Sequence, residues 1–257
     1  MNTMDEKLAA FRRLLEIMDE LREKCPWDKK QTNDTLRNLT IEETYELADA
    51  VLENNDEDIM KELGDLMLHI VFYAKIGSEK KQFDIGDVIH SLNEKLIYRH
   101  PHVFGDVNVN DSEDVKKNWE ELKMREGKTV LGGVPDSLPA MIKSNRIQEK
   151  VRAVGFDWEE KGQIWDKVRE ELSELEEEVR KEDPEKTESE FGDLFFSVIN
   201  AARLYGIDPE TALEKTNKKF IKRFNYLEKN TLSKGQLLKD MSLDEMNKIW
   251  EEAKNYD

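Results

Sequence analysis

Glu42-Glu43-Thr44-Tyr45-Glu46 opens the most informative stretch of this sequence, and Glu62-Leu63-Gly64-Asp65 follows it after fifteen residues. Both segments have counterparts 128 positions later, at Glu170–Glu174 and Glu190–Asp193, again fifteen residues apart. An internal repeat with constant spacing indicates a structural unit that occurs twice. The chain is therefore predicted to contain two similar domains.

Apolar residues around these acids have helical spacing. In each half they recur at steps of three or four residues, which is typical of a helix with one buried face. No convincing run of alternating polar and apolar residues predicts a strand, so the fold class is predicted to be all-α. The apolar stripes comprise Ile59, Leu63, Leu66, Ile70 and Ala74 in the first half, and Ile164, Val168, Leu172, Leu175 and Val179 in the second.

Local signals predict where several helices begin and end. Thr40-Ile41-Glu42-Glu43 has the form of a capping box and predicts a helix from Thr40 to about Glu53. Gly77 can end the next helix. Asp183-Pro184 and Asp208-Pro209 each combine a capping aspartate with a proline in the first turn, and both predict a helix start.

Glycine and proline are concentrated between Gly127 and Pro139, where the helical pattern breaks. Such a segment is typical of a connection between domains. We therefore predict an N-terminal domain at residues 1–126, a linker at 127–139 and a C-terminal domain at 140–257. Each domain is expected to be a four-helix-bundle-type unit.

The repeated acids predict a metal site in each half. Carboxylate oxygens are the ligands that Mg²⁺ prefers, and Mg²⁺ in enzymes commonly serves phosphate chemistry. The short connection between the two acidic helices makes them antiparallel neighbours, so that their acids can face one another. Ordinary solvated helix faces are the alternative, and the repeat favours a site. The candidate ligands are Glu170, Glu171, Glu174, Glu190 and Asp193, with Glu42, Glu43, Glu46, Glu62 and Asp65 as a possible second set.

A basic pattern follows the acids in both halves. Asn-x-Lys-x-x-x-Arg occurs at residues 93–99 and again at residues 217–223. Lys219 and Arg223 are one helical turn apart, which suits a pair that binds phosphate oxygens. An ion pair with the acidic helices is the alternative role, and the two roles are compatible.

Composition excludes several classes of function. The formal net charge of −17 argues against direct nucleic-acid binding, which needs a basic surface. A phosphate ligand would have to bind together with a divalent cation that inverts the local charge. No apolar run approaches the ~20 residues of a membrane span. The single cysteine, Cys25, cannot form an internal disulfide, so a reducing cytoplasm is expected.

With these features the sequence resembles the MazG family of nucleoside triphosphate pyrophosphohydrolases over nearly its whole length. The resemblance implies two tandem MazG-like helical domains, a homodimer, Mg²⁺ dependence, and hydrolysis of a nucleoside triphosphate to the monophosphate and diphosphate. It implies a role in nucleotide-pool housekeeping or in nucleotide signalling under stress. The segments that carry it, besides the acidic ones, are Cys25-Pro26-Trp27-Asp28, Arg99-His100-Pro101-His102-Val103-Phe104, Val154-Gly155-Phe156-Asp157-Trp158 and Asn217-Lys218-Lys219-Phe220.

The resemblance also implies roles for individual residues. The acids of the second copy would hold the metal, with Glu171, Lys219 and Arg223 as the candidate catalytic residues. Substrate contacts would come from Lys167, Lys219, Arg223, Trp250 and Lys123. The first copy departs from this pattern at residue 39, which is Leu opposite Lys167. We therefore expect the second copy to be active and the first to be partly or wholly structural.

One hypothesis from another class remains open. A helical module without catalytic activity could bind nucleotide, metal or a protein partner and transmit a signal. Measurement of diphosphate release from mixed nucleoside triphosphates, with and without Mg²⁺, distinguishes this module from an enzyme.

Overall fold

The computed structural model describes residues 1–109, 111, 114–115, 118–119, 129–233, 235 and 237–256. Every regular element among these residues is helical, which confirms the predicted all-α class. The chain divides into two compact units, Met1–Val109 and Asn110–Asp257. The domain limits predicted from the sequence, with a linker at residues 127–139, stay a prediction.

The first unit is built from long helices joined by short turns. The helices are α1 Met4–Lys24, α2 Asn33–Leu52, α3 Asp56–Glu79, α4 Ile85–Arg99 and α5 Pro101–Phe104, with a 3-10 turn at Asp28–Lys30. The core lies between α1, α2 and α3, where Met18, Leu36 and Phe72 are almost completely buried. Helix α3 also contacts α4.

Helix α2 begins at Asn33, so the capping box predicted at Thr40 is wrong. Thr32 takes the cap instead: its hydroxyl accepts the N–H of Thr35, and the hydroxyl of Thr35 accepts the N–H of Thr32. Thr40 lies inside the helix, where its hydroxyl donates to the carbonyl of Leu36 and hydrogen-bonds the hydroxyl of Tyr73 at 2.8 Å. Glu43 is therefore not engaged as a cap.

The prediction that Gly77 ends the next helix is also wrong, because α3 continues to Glu79. The chain reverses at Lys81, which has a φ of 56°. Gly77 serves packing: a Cβ atom at this position would lie 2.8 Å from the ring of Phe83. Glycine thus allows the turn after α3 to fold back against the helix.

Arg22 of α1 holds the Asp28–Lys30 turn against α3. Its Nη2 and Nε donate to the two carboxylate oxygens of Glu79, at 2.5 and 2.9 Å. Its Nη1 donates to the carbonyl oxygens of Asp28 and Gln31. This guanidinium joins the loop before α2 to the end of α3, and so fixes the frame in which α2 and α3 pack.

The second unit repeats the arrangement of two acidic helices. The helices are α6 Ala140–Ala153, α7 Gln163–Lys181, α8 Pro184–Leu204, α9 Pro209–Leu232 and α10 Leu243–Ala253, with 3-10 turns at Leu238–Asp240 and Lys254–Tyr256. Helices α7 and α8 pack side by side, α8 contacts α6, and α9 contacts α6, α8 and α10. Ile164, Leu175 and Ile199 are among the buried apolar residues.

Both predicted proline starts in this unit are confirmed. Asp183 caps α8 by accepting the N–H of Lys186, and Asp208 caps α9 by accepting the N–H of Thr211. Pro184 and Pro209 occupy the first turns of these helices, where their missing N–H groups leave no hydrogen bond unmade.

The predicted apolar stripes are only partly buried. Ala74 in the first unit and Ile164 and Leu175 in the second are buried, as predicted. Four members of the stripes are about half exposed within the single chain: Leu63, Ile70, Leu172 and Val179. Among the described residues, no helix combines the length and the apolarity needed to cross a membrane.

Candidate metal centre

In the first unit, α2 and α3 bring three carboxylates together. Glu43 on α2 and Glu62 and Asp65 on α3 each offer an oxygen atom, and these atoms lie within 4.8 Å of one another. The two helices pack together through a short connection, which sets their acidic faces opposite each other. Glu62 is buried, whereas Glu43 and Asp65 are partly buried.

This cluster is electrostatically strained. Partial burial raises the pKa of Glu43, and the negative charges of Asp65, Glu46, Glu62 and Glu42 raise it further. Like charges at short range disfavour full ionisation unless a cation joins them. Lys61 supplies one such cation, since its Nζ lies 2.8 Å from Glu62 Oε1.

In the second unit, α7 and α8 build the corresponding cluster. Oxygen atoms of Glu171 and Glu174 on α7 and of Glu190 on α8 lie within 4.8 Å of one another. Glu171 is the buried member. Partial loss of solvent raises the pKa of Glu174, and the charges of Glu171, Glu170 and Glu190 add to this effect.

Lys167 lies beside this second cluster, one turn before Glu171 on α7. Its Nζ is 2.8 Å from Glu170 Oε1 and 2.7 Å from Glu171 Oε1. These hydrogen bonds raise the pKa of Lys167 well above its usual value. The lysine is therefore charged at neutral pH and neutralises part of the cluster.

The two clusters share only part of the predicted ligand set. Glu43 corresponds to Glu171, and Glu62 corresponds to Glu190. Each of these four residues belongs to the cluster of its own unit. The first cluster adds Asp65 and the second adds Glu174. Four predicted ligands lie outside these compact groups, and all four are exposed: Glu42, Glu46, Glu170 and Asp193.

Two of the predicted phosphate contacts, Lys219 and Arg223, lie on α9, and Trp250, predicted to line the site, lies on α10. The guanidinium of Arg223 lies over the ring of Trp250, 5.8 Å from its centroid. Phe220, one turn before Phe224 on α9, contacts the same indole with a centroid separation of 4.9 Å. Lys219 is exposed on α9. Lys123 lies outside the described residues.

The sequence segments that build these clusters match a known protein family. Residues 31–104 and 161–227 match the MazG nucleotide pyrophosphohydrolase domain. The nucleoside triphosphate pyrophosphohydrolase/pyrophosphatase MazG of Thermotoga maritima is 43% identical over 99% of this chain and 99% of its own length. The nucleoside triphosphate pyrophosphohydrolase of Escherichia coli K12 is 40% identical over 94% of this chain and 96% of its own. The chain belongs to the MazG family.

The two MazG segments confirm that the chain carries tandem MazG-like helical domains. The first segment contains the cluster of Glu43, Glu62 and Asp65, and the second contains the cluster around Glu171. Lys219 and Arg223 also lie in the second segment, whereas Trp250 lies beyond it. The acids that the structure gathers are therefore those of the MazG domain itself.

A divalent ion fits both MazG clusters. All the donor atoms are carboxylate oxygens, the chemistry that hard cations prefer. Glu62 is 5% exposed, and its Oε2 is buried without a hydrogen-bond partner among the described residues. Ligand oxygens around Mg²⁺ lie roughly 3–4 Å apart, so a 4.8 Å cluster needs only small side-chain adjustments.

Sequence reasoning missed Lys61 and the anchoring pair of Arg203 and Asp157. Lys61 directly precedes Glu62, and Ser189 stands at the equivalent position in the second half, so the repeat gave no signal for it. Arg203 Nη2 donates to Asp157 Oδ1 at 2.5 Å and fixes the loop before α7 against α8. The sequence pointed to Asp157 only through the family resemblance of the segment at residues 154–158.

Proposed function

We propose that this MazG protein is a Mg²⁺-dependent nucleoside triphosphate pyrophosphohydrolase that converts a triphosphate and water to the monophosphate and diphosphate. The names of its relatives support the reaction. The observation that carries the proposal is the convergence of Glu171, Glu174 and Glu190 from two helices within the second MazG segment.

Mg²⁺ would be held by the acids of α7 and α8. The compact group of Glu171, Glu174 and Glu190 supplies the first ligands. The exposed Glu170 and Asp193 lie within three residues of members of this group. When bound, the ion offsets the charge of the triphosphate and lowers the pKa of a coordinated water. This role agrees with the net charge of −17, which otherwise repels a triphosphate.

The chain's own residues then divide the remaining work. The carboxylate of Glu171, a buried residue, is our candidate to accept the proton of the attacking water as its oxygen bonds to phosphorus. The anhydride bond between the α and β phosphates breaks, and diphosphate leaves. Lys219 and Arg223 would bind phosphate oxygens as negative charge gathers there. Trp250 and Lys123 would line the site.

We propose that the second domain carries the activity and that the first is partly or wholly structural. Lys167 has no counterpart in the first unit, where Leu39 packs against the apolar core. The first cluster of Glu43, Glu62 and Asp65 retains a possible metal site. The domains would comprise residues 1–126 and 140–257, joined by the linker at 127–139.

We propose that the protein acts as a homodimer. Several apolar side chains next to the acids are exposed in the single chain, as a surface covered by a second copy would be. Phe195 is 62% exposed on α8, close in sequence to Asp193. The other residues of this kind on α3, α7 and α8 include Met60, Leu63, Leu172, Phe191 and Val198.

The proposed setting is the cytoplasm, where the enzyme would remove aberrant or excess triphosphates or modulate nucleotide signals under stress. The free thiol of Cys25 supports a reducing compartment. The net charge of −17 supports small nucleotides rather than nucleic acid as ligands.

Diphosphate release from a mixture of nucleoside triphosphates tests the proposal. We expect turnover with Mg²⁺ and at least a hundredfold less in a chelator. Retained nucleotide binding without turnover under any metal condition would show that the chain is a non-catalytic module, and would overturn the proposal.

A further inference from the structure

We propose that Lys167 and the divalent ion compete for Glu171, so that binding of the ion releases Lys167 towards the triphosphate. This inference rests on the proposed function and specifies the order of the binding events. The ion first binds to the acids, and the freed lysine then binds phosphate. Lys167 thereby couples the two binding events in the second domain.

The competition follows from the contacts of Glu171. This carboxylate belongs to the group of three that can share an ion, and its Oε1 is also bound by Lys167 Nζ at 2.7 Å. An ammonium and a divalent ion on the same carboxylate repel each other strongly, because two positive charges would lie only a few ångströms apart. The lysine and the ion therefore cannot both be bound to Glu171 at full strength.

Lys167 is free to move without disturbing the core. Its side chain is 36% exposed, whereas that of Glu171 is 9% exposed. A lysine carries its charge on a flexible four-carbon stem, so the ammonium can leave Glu171 while the helix stays in place. A lysine ammonium carries its charge at neutral pH whether or not it is paired with a carboxylate. A charged, mobile ammonium at the edge of the acids is suited to bind phosphate oxygens.

The first unit lacks this device. Leu39 takes the position of Lys167 and packs against the buried core residues. Lys61 pairs with Glu62 instead, and its side chain is 66% exposed on the following helix. An ion bound to the first cluster would displace Lys61 into solvent, and no lysine of α2 would be delivered to a phosphate. The coupling is therefore specific to the second copy.

Lys167→Leu, which copies the residue of the first unit, tests the proposal in the full chain by calorimetry. Mg²⁺ is titrated without nucleotide, and a triphosphate analogue that cannot be hydrolysed between its α and β phosphates is titrated at saturating Mg²⁺. We expect Mg²⁺ to bind about tenfold more tightly at the second site and the analogue to bind about tenfold more weakly. Lys167→Met keeps the length of the stem and should give the same two changes.

Lys181→Leu is the matched control. Lys181 Nζ lies 2.8 Å from Glu178 Oε1 on the same helix, and Glu178 is not in the cluster. The Lys181→Leu substitution removes the same positive charge as Lys167→Leu. Neither affinity should change more than about twofold.

The two shifts have opposite signs, which a general loss of structure cannot produce. Unchanged or weaker Mg²⁺ binding by both Lys167 variants would overturn the inference. If the wild-type chain still released diphosphate with Mg²⁺, the proposed function would stand and only the competition would fail. If the wild-type chain bound no divalent ion at all, the proposed function would fail with it.

Discussion

Glu171 on α7 and Glu190 on α8 belong to different helices, yet each places a carboxylate oxygen within 4.8 Å of the other's. Two carboxylates at this distance repel each other, and the repulsion is relieved by protonation or by a shared cation. The same relationship links Glu43 and Glu62 in the first unit. The helices thus keep their acids in a state that favours cation binding.

Glu171→Gln should lower diphosphate release by a factor of about 100 or more, because the substitution removes both a ligand charge and the candidate base. Steady-state kinetics with saturating Mg²⁺ measures the loss. The matched control is Glu43→Gln, the equivalent change in the first unit. We expect it to change turnover less than about twofold. Equal losses in both variants would contradict the assignment of activity to the second domain.

Glu43→Gln should also stabilise the ion-free protein slightly at neutral pH, by about one degree in the melting temperature, because solvent screens much of the repulsion. The pKa of Glu43 is raised by partial burial and by Asp65 and its other acidic neighbours, so the folded state disfavours the ionised form. The resulting loss of folding stability is complete at pH values above the raised pKa. It disappears as the pH falls below the ordinary pKa of a glutamate side chain. The advantage of the variant should therefore vanish in acid. Thermal unfolding in a chelator at two pH values checks this sign.

Mg²⁺ binding to the second unit should weaken as the pH falls, and the decline should begin above the ordinary titration range of glutamate. Protons compete with the ion for the cluster, and the pKa of Glu174 is raised by partial loss of solvent and by Glu171, Glu170 and Glu190. Isothermal titration at a series of pH values measures the affinity. If the Mg²⁺ affinity stayed constant as the pH fell to the ordinary pKa of a glutamate side chain, this expectation would be refuted.

Arg203→Leu should destabilise the second unit by about 1–2 kcal/mol, because it removes the charge-assisted hydrogen bonds that Arg203 donates to Asp157. Arg203 and Asp157 are 7% and 20% exposed. Chemical denaturation measures the change in unfolding free energy. Asp166→Asn, in the exposed pair of Asp166 and Arg169, is the control and should change it by less than about 0.5 kcal/mol.

The contribution of Asp157 should be lost only in strong acid. Burial alone would raise the pKa of Asp157, but hydrogen bonds from Arg203 and from the backbone of Trp158, with the charges of Arg203 and Arg152, hold it below its usual value. Stability from a lowered pKa is present above the unfolded value and is lost as the pH falls through the folded one. Loss of this contribution near neutral pH would be inconsistent with the ion pair.

Local signals predicted much of this fold. Asp183-Pro184 and Asp208-Pro209 specify helix starts through a side-chain cap and a fixed φ, and both act as predicted. The helix start predicted at Thr40 was wrong because Thr32, eight residues earlier, caps the helix with the same kind of side-chain hydroxyl. Two overlapping start signals cannot be ranked from local pattern alone, since the packing of Leu36 in the core decides between them.

The candidate site was only partly predictable, for a related reason. Helical spacing placed the acids on one face, but which of them converge depends on packing between two helices. The structure gathers Asp65 but not its counterpart Asp193, and Glu174 but not its counterpart Glu46. The repeat could not point to Lys61, because the equivalent position in the second half is Ser189. Likewise, Leu63 and Ile70 have core spacing but are exposed in the single chain.

Trp250→Ala should weaken nucleotide binding by about tenfold, since loss of an aromatic surface for a base costs roughly 1–3 kcal/mol. The indole contacts both Phe220 and the guanidinium of Arg223, so the substitution also removes a contact of that guanidinium. Trp250→Phe should retain most of the affinity. Equal affinity for the alanine variant and the wild type would exclude Trp250 from the site.

The most direct test of the central claim is the affinity of a non-hydrolysable triphosphate analogue with and without Mg²⁺. The account predicts tight binding with Mg²⁺ and at least a hundredfold weaker binding in a chelator, because the acids repel a triphosphate unless an ion joins the two. A double variant, Glu171→Gln with Glu190→Gln, should lose the Mg²⁺ dependence. Equal affinity of the wild-type protein in Mg²⁺ and in chelator would contradict the account.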